Sequence, residues 1–471
     1  MPENSQPRAL SLDALRGFAI LTMVLSGVVP YGVLPAWMYH AQVPPPLHKF
    51  DPNLPGITWV DLVFPFFLFA LGAAIPLALN KRLEKGASRP VVALQIFERT
   101  LLLGFFALIH RAFSPWVINP ETNRLTWTLG LLGFAVMFVI FLRPPDSWGQ
   151  NLRRIIKLAG WAGALLLLIF LRYPDGSGFS LYRSNIILIV LTNTYFFGAL
   201  IWLFTRENLV LRLSVLGLLM ALRLSYPVVG WVQTIWNWSP ISWLYKLYYC
   251  QYLFIVIPGT IVGEMFLKRS LWKPDNSLTE DRHFQDRMIL LTTLMLLFTP
   301  IMLVGLKLRL VTETALLSLT LLGLTGLILT KGATTAEKFL RTLFIWGAYW
   351  LVLGLLFEPF EGGIKKDHPT LSYYFITDGL AIFLVIAFAI IIDIYRKPWL
   401  RLFILNGQNP MLAYSAMANF IMPILSLTTL HELFIRYTHA PWLGALRAAI
   451  YTLLLALGVA YCTKKKWYWR T

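Results

Sequence analysis

At 471 residues, with 57% hydrophobic and only 14% charged side chains, the chain is too apolar for a water-soluble protein, in which about a quarter of residues are charged. Its net charge of +18 would suit nucleic acid, but of 41 Lys and Arg, 28 fall in loops on the N-terminal side and 13 on the other, as the positive-inside rule requires. Composition therefore argues against a soluble enzyme and a nucleic-acid partner. It predicts an all-α, polytopic transmembrane bundle of about 11–14 spans surrounded by membrane lipid.

Residues 1–16 form a polar lead that runs into Ser11-Leu12-Asp13-Ala14-Leu15-Arg16-Gly17. Ser11 is placed to cap the first helical turn, and Asp13 to meet the positive end of its dipole. Asp13 and Arg16, three residues apart, share a helix face and are predicted to pair at the inner surface. A span from about Gly17 to Leu34 then delivers the chain to a proline-rich, non-helical loop, Pro35 to Thr58, carrying His40 and His48. The second span opens at Trp59, and Asp61 in its first turn suits capping of backbone N–H groups or orientation of a nearby histidine.

Further along, His110 and Arg111 mark the exit of the third span, Arg143 to Lys157 reads as an inner loop, and Tyr173 to Asn185 as an outer one. The aromatic stretch Tyr226 to Tyr249 is predicted to lie in the outer interfacial belt. A charged inner segment, 268–287, including Asp275 and Glu280, reads as a polar linker within what is otherwise a single domain, 1–471. No internal repeat is visible, so an inverted-repeat transporter has no direct support. The outer loop Glu358 to Tyr373 presents Lys365, Lys366, Asp367 and His368. Asn406-Gly407-Gln408-Asn409-Pro410 breaks the backbone before a helix and offers N–H and amide groups to an anion or carbonyl. The tail KKKWYWRT is predicted to anchor at the inner interface. This alternation leaves both termini cytoplasmic and places the chain in the cell (inner) membrane as a multi-pass protein.

Six of the seven histidines, His40, His48, His110, His368, His431 and His439, fall outside or at the outer ends of spans. Imidazole suits proton transfer near neutral pH, so this asymmetry points to acid–base work on that face. No histidine or cysteine spacing suggests a metal, and Cys250 and Cys462 form no disulfide framework. Carboxylates are placed at span ends, which argues against a charge relay at the bilayer centre.

Three blocks carry a family resemblance. The first is the S-x-D-x-x-R-G start at Ser11 to Gly17. The second is His40-Ala41 followed by Gly56-Ile57-Thr58-Trp59-Val60-Asp61-Leu62-Val63-Phe64-Pro65. The third joins Thr370 to Tyr373, Gly407-Gln408-Asn409-Pro410 with Tyr414, and the Lys- and Trp-rich tail. In these the chain resembles the heparan-alpha-glucosaminide N-acetyltransferase-like membrane acyltransferases, specifically their bacterial DUF5009-type relatives. It departs from them at Leu25-Ser26-Gly27-Val28, where they carry an Asn, and at Arg124 to Gly130, where they carry a Gln-Arg pair.

The resemblance implies a helical bundle that moves an acetyl group from acetyl-CoA, as co-substrate and without a metal, to an amino or hydroxyl group of an extracytoplasmic saccharide. An outer-loop histidine would be central. The His-Ala dipeptide selects His40, and counting back from Asp61 selects His48; the first count is preferred. Asp61 would orient the ring, with Asn406, Asn409, Lys366 and Ser372 toward the substrates and Asp13 and Arg16 toward the CoA phosphates. A homo-oligomer is compatible with this reading. The alternative is a transporter or flippase for a sugar or lipid-linked glycan.

Overall fold

The computed structural model describes residues 9–144, 148–269, 281–330, 332 and 334–471. Among these the protein is all-helical, apart from one isolated bridge between Leu142 and Trp469. In chain order the helices are α1 (Leu10–Val28), α2 (Trp59–Glu84), α3 (Arg89–Ala112), the single turn α4 (Pro115–Ile118), α5 (Arg124–Phe141) and α6 (Gln150–Phe170). Next come α7 (Ile186–Thr205), α8 (Leu209–Ser225), α9 (Gly230–Asn237), α10 (Leu253–Arg269), α11 (Arg282–Lys307), α12 (Val311–Thr330) and α13 (Thr335–Phe357). The last group is α14 (Leu371–Phe388), α15 (Arg401–Gly407), α16 (Pro410–Ala416), α17 (Met422–Leu427), α18 (Leu430–Tyr437) and α19 (Pro441–Lys464).

By length and composition, twelve membrane-crossing helices are present among the described residues, or thirteen if α8 and α9, bent by 115°, are one span. Helix α6 is long enough but carries Arg153, Arg154 and Lys157 in its first two turns. The inner loop expected up to Lys157 therefore ends earlier, because Arg and Lys are good helix formers and no breaker separates them. The charged segment expected at 268–287 lies largely outside the described residues, since 270–280 are not among them.

Helix α14 is the centre of the bundle. Every residue from Leu371 to Phe388 is buried, which fits a segment that is apolar on all sides. Against the expectation that carboxylates sit at span ends, Asp378, eight residues into this span, is fully buried, and neither carboxylate oxygen has a hydrogen-bond partner among the described residues. Carboxylates are thus not confined to span ends. A single Asp within so apolar a run hardly changes its hydropathy.

Helix crossings use glycine where backbones touch. A Cβ at Gly17 of α1 would lie 1.8 Å from the Phe403 carbonyl oxygen, and one at Gly407 the same distance from that of Asp13. Small residues permit this approach, which replaces hydrophobic drive inside a bilayer with close packing.

Long-range contacts sort the helix ends into two faces. On one face Ser11 bonds Asp393, Gln408 bonds Asp13, and Asn409 bonds Trp467. On the other, the chain after α1 meets the loop after α13, Arg309 pairs with Glu358, and Arg223 with Glu361. The start of α1 and the end of α19 therefore share a face. Two local expectations change. Ser11 lies inside the first turn and bonds Asp393 (2.8 Å), while Ala9 occupies the N-cap. The tail is tucked into the bundle, with Trp469 1% exposed.

Candidate active site

The loop after α1 is fixed by its own polar groups before any catalysis is considered. Buried Gln42 donates through its side-chain amide to the carbonyls of Leu54 (2.8 Å) and Gly56 (3.1 Å). The Gly56 N–H donates to the Ile364 carbonyl (2.7 Å), stitching this loop to the one after α13. Most of the loop is turns, with one short 3-10 turn at Ala36–Met38, as its prolines dictate.

At the entrance to α2, Asp61 is fully buried. Its Oδ2 accepts from the N–H groups of Thr58 (2.8 Å) and Ala41 (3.2 Å) and from the Thr58 hydroxyl (3.2 Å). The other oxygen, Oδ1, stands 3.1 Å from His40 Nδ1 and 3.7 Å from Lys366 Nζ. Tyr373, at the start of α14, donates to the Asp61 backbone carbonyl (2.7 Å). Lys307, at the end of α11, donates to the Ala41 carbonyl (3.5 Å).

His40 is therefore a histidine between two carboxylates. Its Nε2 lies 2.5 Å from Asp367 Oδ2, opposite the Asp61 contact. The Gln42 backbone N–H donates to Nδ1 (3.2 Å), which puts the neutral ring's proton on Nε2, where Asp367 accepts it. Burial alone would raise the Asp367 carboxyl, but the bond to His40 and the charges of Lys366, His40 and His368 outweigh it and hold the group below its usual value. Positive charge developing on the ring, by protonation or acylation, meets a carboxylate at each nitrogen. The His40 side chain is 18% exposed and that of Asp367 41%, so the cluster is reached from this face past Asp367.

His48 has a different setting. Its ring packs on Tyr31 (centroids 4.5 Å) and Tyr39 (4.8 Å), and neither nitrogen has a hydrogen-bond partner among the described residues. Nothing there orients a base.

The remaining sequence-predicted residues divide by position. Lys366 joins the His40 cluster, and Ser372 follows Leu371 at the start of α14, fully buried, its hydroxyl without a hydrogen-bond partner among the described residues. Asp13 and Arg16 sit toward the opposite end of α1, about 18–22 Å from its last residue along a helix rising 1.5 Å per residue. Their pairing is loose (3.5 Å) and packed among helices rather than interfacial: Arg16 also donates to the carbonyls of Gly407 (3.2 Å) and Ala70 (3.1 Å). Asn406 donates to the carbonyls of Leu402 and Ala456. Asn409 stands on that same far face and holds the tail, donating to the Trp467 carbonyl (2.8 Å) and accepting from the Trp469 N–H (3.0 Å). The break at Asn409 forms as its sequence predicts, but its amide faces the tail and not the histidine.

Residues 8–266 match the family described as a domain of unknown function, DUF5009. The chain belongs to the DUF5009 family. Over 194 residues this DUF5009 chain is also 29% identical to the heparan-alpha-glucosaminide N-acetyltransferase of Homo sapiens, an alignment covering 37% of the chain and 26% of that protein. Over 159 residues it is 29% identical to the Mus musculus protein of that name, covering 31% and 21%. These alignments span about a quarter of those relatives' own length, which makes the likeness a distant one.

Asp367, Tyr373 and Lys307 complete the cluster, and none was assigned a role from sequence. Asp367 lies 327 residues from His40. Its visible signal was the unusual polarity of Glu358 to Tyr373 between two apolar spans.

Proposed function

We propose that this DUF5009 protein is a membrane-embedded acyltransferase in which His40 is the central residue. It would pass an acyl group, acetyl from acetyl-CoA, to an amino or hydroxyl group of a saccharide on the opposite side of the membrane. Both termini would be cytoplasmic and the His40 face extracytoplasmic. The observation that carries this reading is a half-buried imidazole flanked by Asp61 and Asp367; the distant likeness to proteins named N-acetyltransferases supports it.

His40 would act as general base on the acceptor, taking its proton as it attacks the thioester carbonyl and passing it to the sulfur as the C–S bond breaks and CoA leaves as the thiol, or as a nucleophile that displaces the CoA thiolate and then gives the acyl group to the acceptor. In either role Asp367 holds the ring through Nε2–H, and Asp61 faces the charge that forms at Nδ1. Lys366 and Lys307 balance the two carboxylates. Asp13 and Arg16, on the face assigned to the cytoplasm, are the residues we assign toward the CoA phosphates.

The test is transfer of labelled acetyl from acetyl-CoA by purified protein to a panel of amino sugars and hexoses. General acid–base catalysis contributes about 10²- to 10⁴-fold, so His40→Ala should lower turnover by that order. Unchanged turnover in His40→Ala would remove this histidine from the mechanism.

Buried Asp378 favours a second reading, a glycan transporter, because ionisable groups inside spans often mark a transport path. Saturable binding of acetyl-CoA separates the two, since a transporter has no use for a thioester.

A further inference from the structure

Beside the distal half of α1 lies a chamber of about 550 Å³ whose walls include none of the His40 cluster. Helices α1, α3, α7, α16 and α19 all contribute to it, and no Asp or Glu among the described residues lines it. Its one charged side chain among the described residues is the Arg447 guanidinium, and its other polar groups include hydroxyls and imidazoles.

Arg447 of α19 reaches the chamber and donates to the carbonyl (3.5 Å) and hydroxyl (2.5 Å) of Thr438. Both are neutral oxygens, and no carboxylate pairs with this guanidinium among the described residues. Across the chamber, the Asn185 amide is oriented by its Oδ1, which caps the Leu188 N–H (3.3 Å). Its Nδ2 therefore points as a donor at the Tyr414 hydroxyl (3.0 Å) and His110 Nδ1 (3.4 Å). That leaves the Tyr414 O–H free to donate and puts the proton of neutral His110 on Nε2. His110 is 7% exposed, and this buried Nε2 has no partner among the described residues. A buried donor without an acceptor is costly, so its persistence marks a place for an oxygen.

The rest of the wall is soft and apolar. Met23, Met417 and Met422 line it, and methionine adapts to flexible aliphatic chains. Ile187 and Trp116 also line it while remaining 37% and 41% exposed. They form an apolar, exposed rim at the chamber's mouth.

We propose that this chamber binds a membrane amphiphile with a phosphate headgroup. The phosphate sits at Arg447, further headgroup oxygens accept from Tyr414 and His110, and the aliphatic chain runs along the three methionines. Burial, with Arg447 beside it, lowers His431 below the usual imidazole value against a weaker pull from Glu432. At neutral pH the fixed positive charge facing the headgroup is then that of Arg447.

The experiment is calorimetric titration of the purified full-length protein in dodecyl maltoside with dodecyl phosphate, and in parallel with inorganic phosphate. Wild type should bind dodecyl phosphate saturably and inorganic phosphate at least tenfold more weakly. Arg447→Gln should weaken dodecyl phosphate binding tenfold or more, Arg447→Lys should recover part of it, and Met422→Trp, which fills the chamber without touching charge, should abolish it. Exposed Arg436 lies outside the lining, so Arg436→Gln should leave binding unchanged. Equal affinity for inorganic phosphate would overturn the amphiphile, equal weakening by Arg436→Gln would reduce the effect to surface charge, and full binding by Met422→Trp would remove the chamber as the site.

Discussion

His40 and His48 lie eight positions apart in one loop, yet their surroundings set different tasks. Exchanging Asp367 for Asn keeps the shape beside Nε2 but removes the charge that steadies an imidazolium. Asp367→Asn should therefore lower the rate of acetyl transfer by less than His40→Ala does, with the acetyl-CoA KM unchanged. His48 sits at φ 47°, a backbone region that Asn tolerates and Ala does not. His48→Asn is thus the clean test of that ring: it should cost about 0.5–1.5 kcal/mol of aromatic packing, read as a lower melting temperature, and leave turnover intact. The Asp367 contact also has a definite pH sign. Its native value lies below the ordinary 3.8, so the stability it contributes is present above that value and is lost as pH falls through the lower native one. Melting curves of wild type and Asp367→Asn should differ at pH 6 and converge in strong acid.

Among the elements, the least expected is the tail. Trp469 is caged by Phe106, Phe134, Phe138 and Phe141 at centroid distances of 5.5–6.5 Å, and Asn409 clamps the backbone on either side of Tyr468. Trp469→Ala should cost about 3–5 kcal/mol and expose Lys464 to Lys466 to trypsin. Asn409→Ala should do the same to a lesser degree. This tail also shows where sequence reading stops. A Trp beside Lys and Arg has the same composition whether it floats at an interface or fills a cage, and only the partners, hundreds of residues earlier, decide. The spans themselves, the broken backbone at Asn409 and the loop bearing His40 were legible, because hydropathy, proline and local capping are properties of neighbours in sequence. Asp61 was legible for the same reason, lying three residues after Thr58, whose N–H it accepts. Asp367 was not, since its meeting with His40 depends on how α13 and α14 place their connecting loop.

For the whole molecule, the pairing of helix ends gives a test of orientation. In a background with Cys250 and Cys462 replaced by Ser, Lys49→Cys and Lys465→Cys mark the two faces. A membrane-impermeant maleimide applied to intact cells should label the first and spare the second until the membrane is opened. The reverse pattern would put the His40 cluster on the cytoplasmic side and end the trans-membrane form of the transfer proposal.

Synthesis on the ribosome gives these long-range contacts a further meaning. Ser11 waits for Asp393, 382 positions later, and Asp13 for Gln408, 395 later; the aromatic cage of α3 and α5 closes only on a Trp near the carboxy end. Early spans must therefore enter the bilayer with their polar partners still untranslated, and the finished packing can form only after nearly the whole polypeptide has emerged. A nascent chain stalled before Asn409 should be threaded through the membrane yet remain open to protease along its first helix.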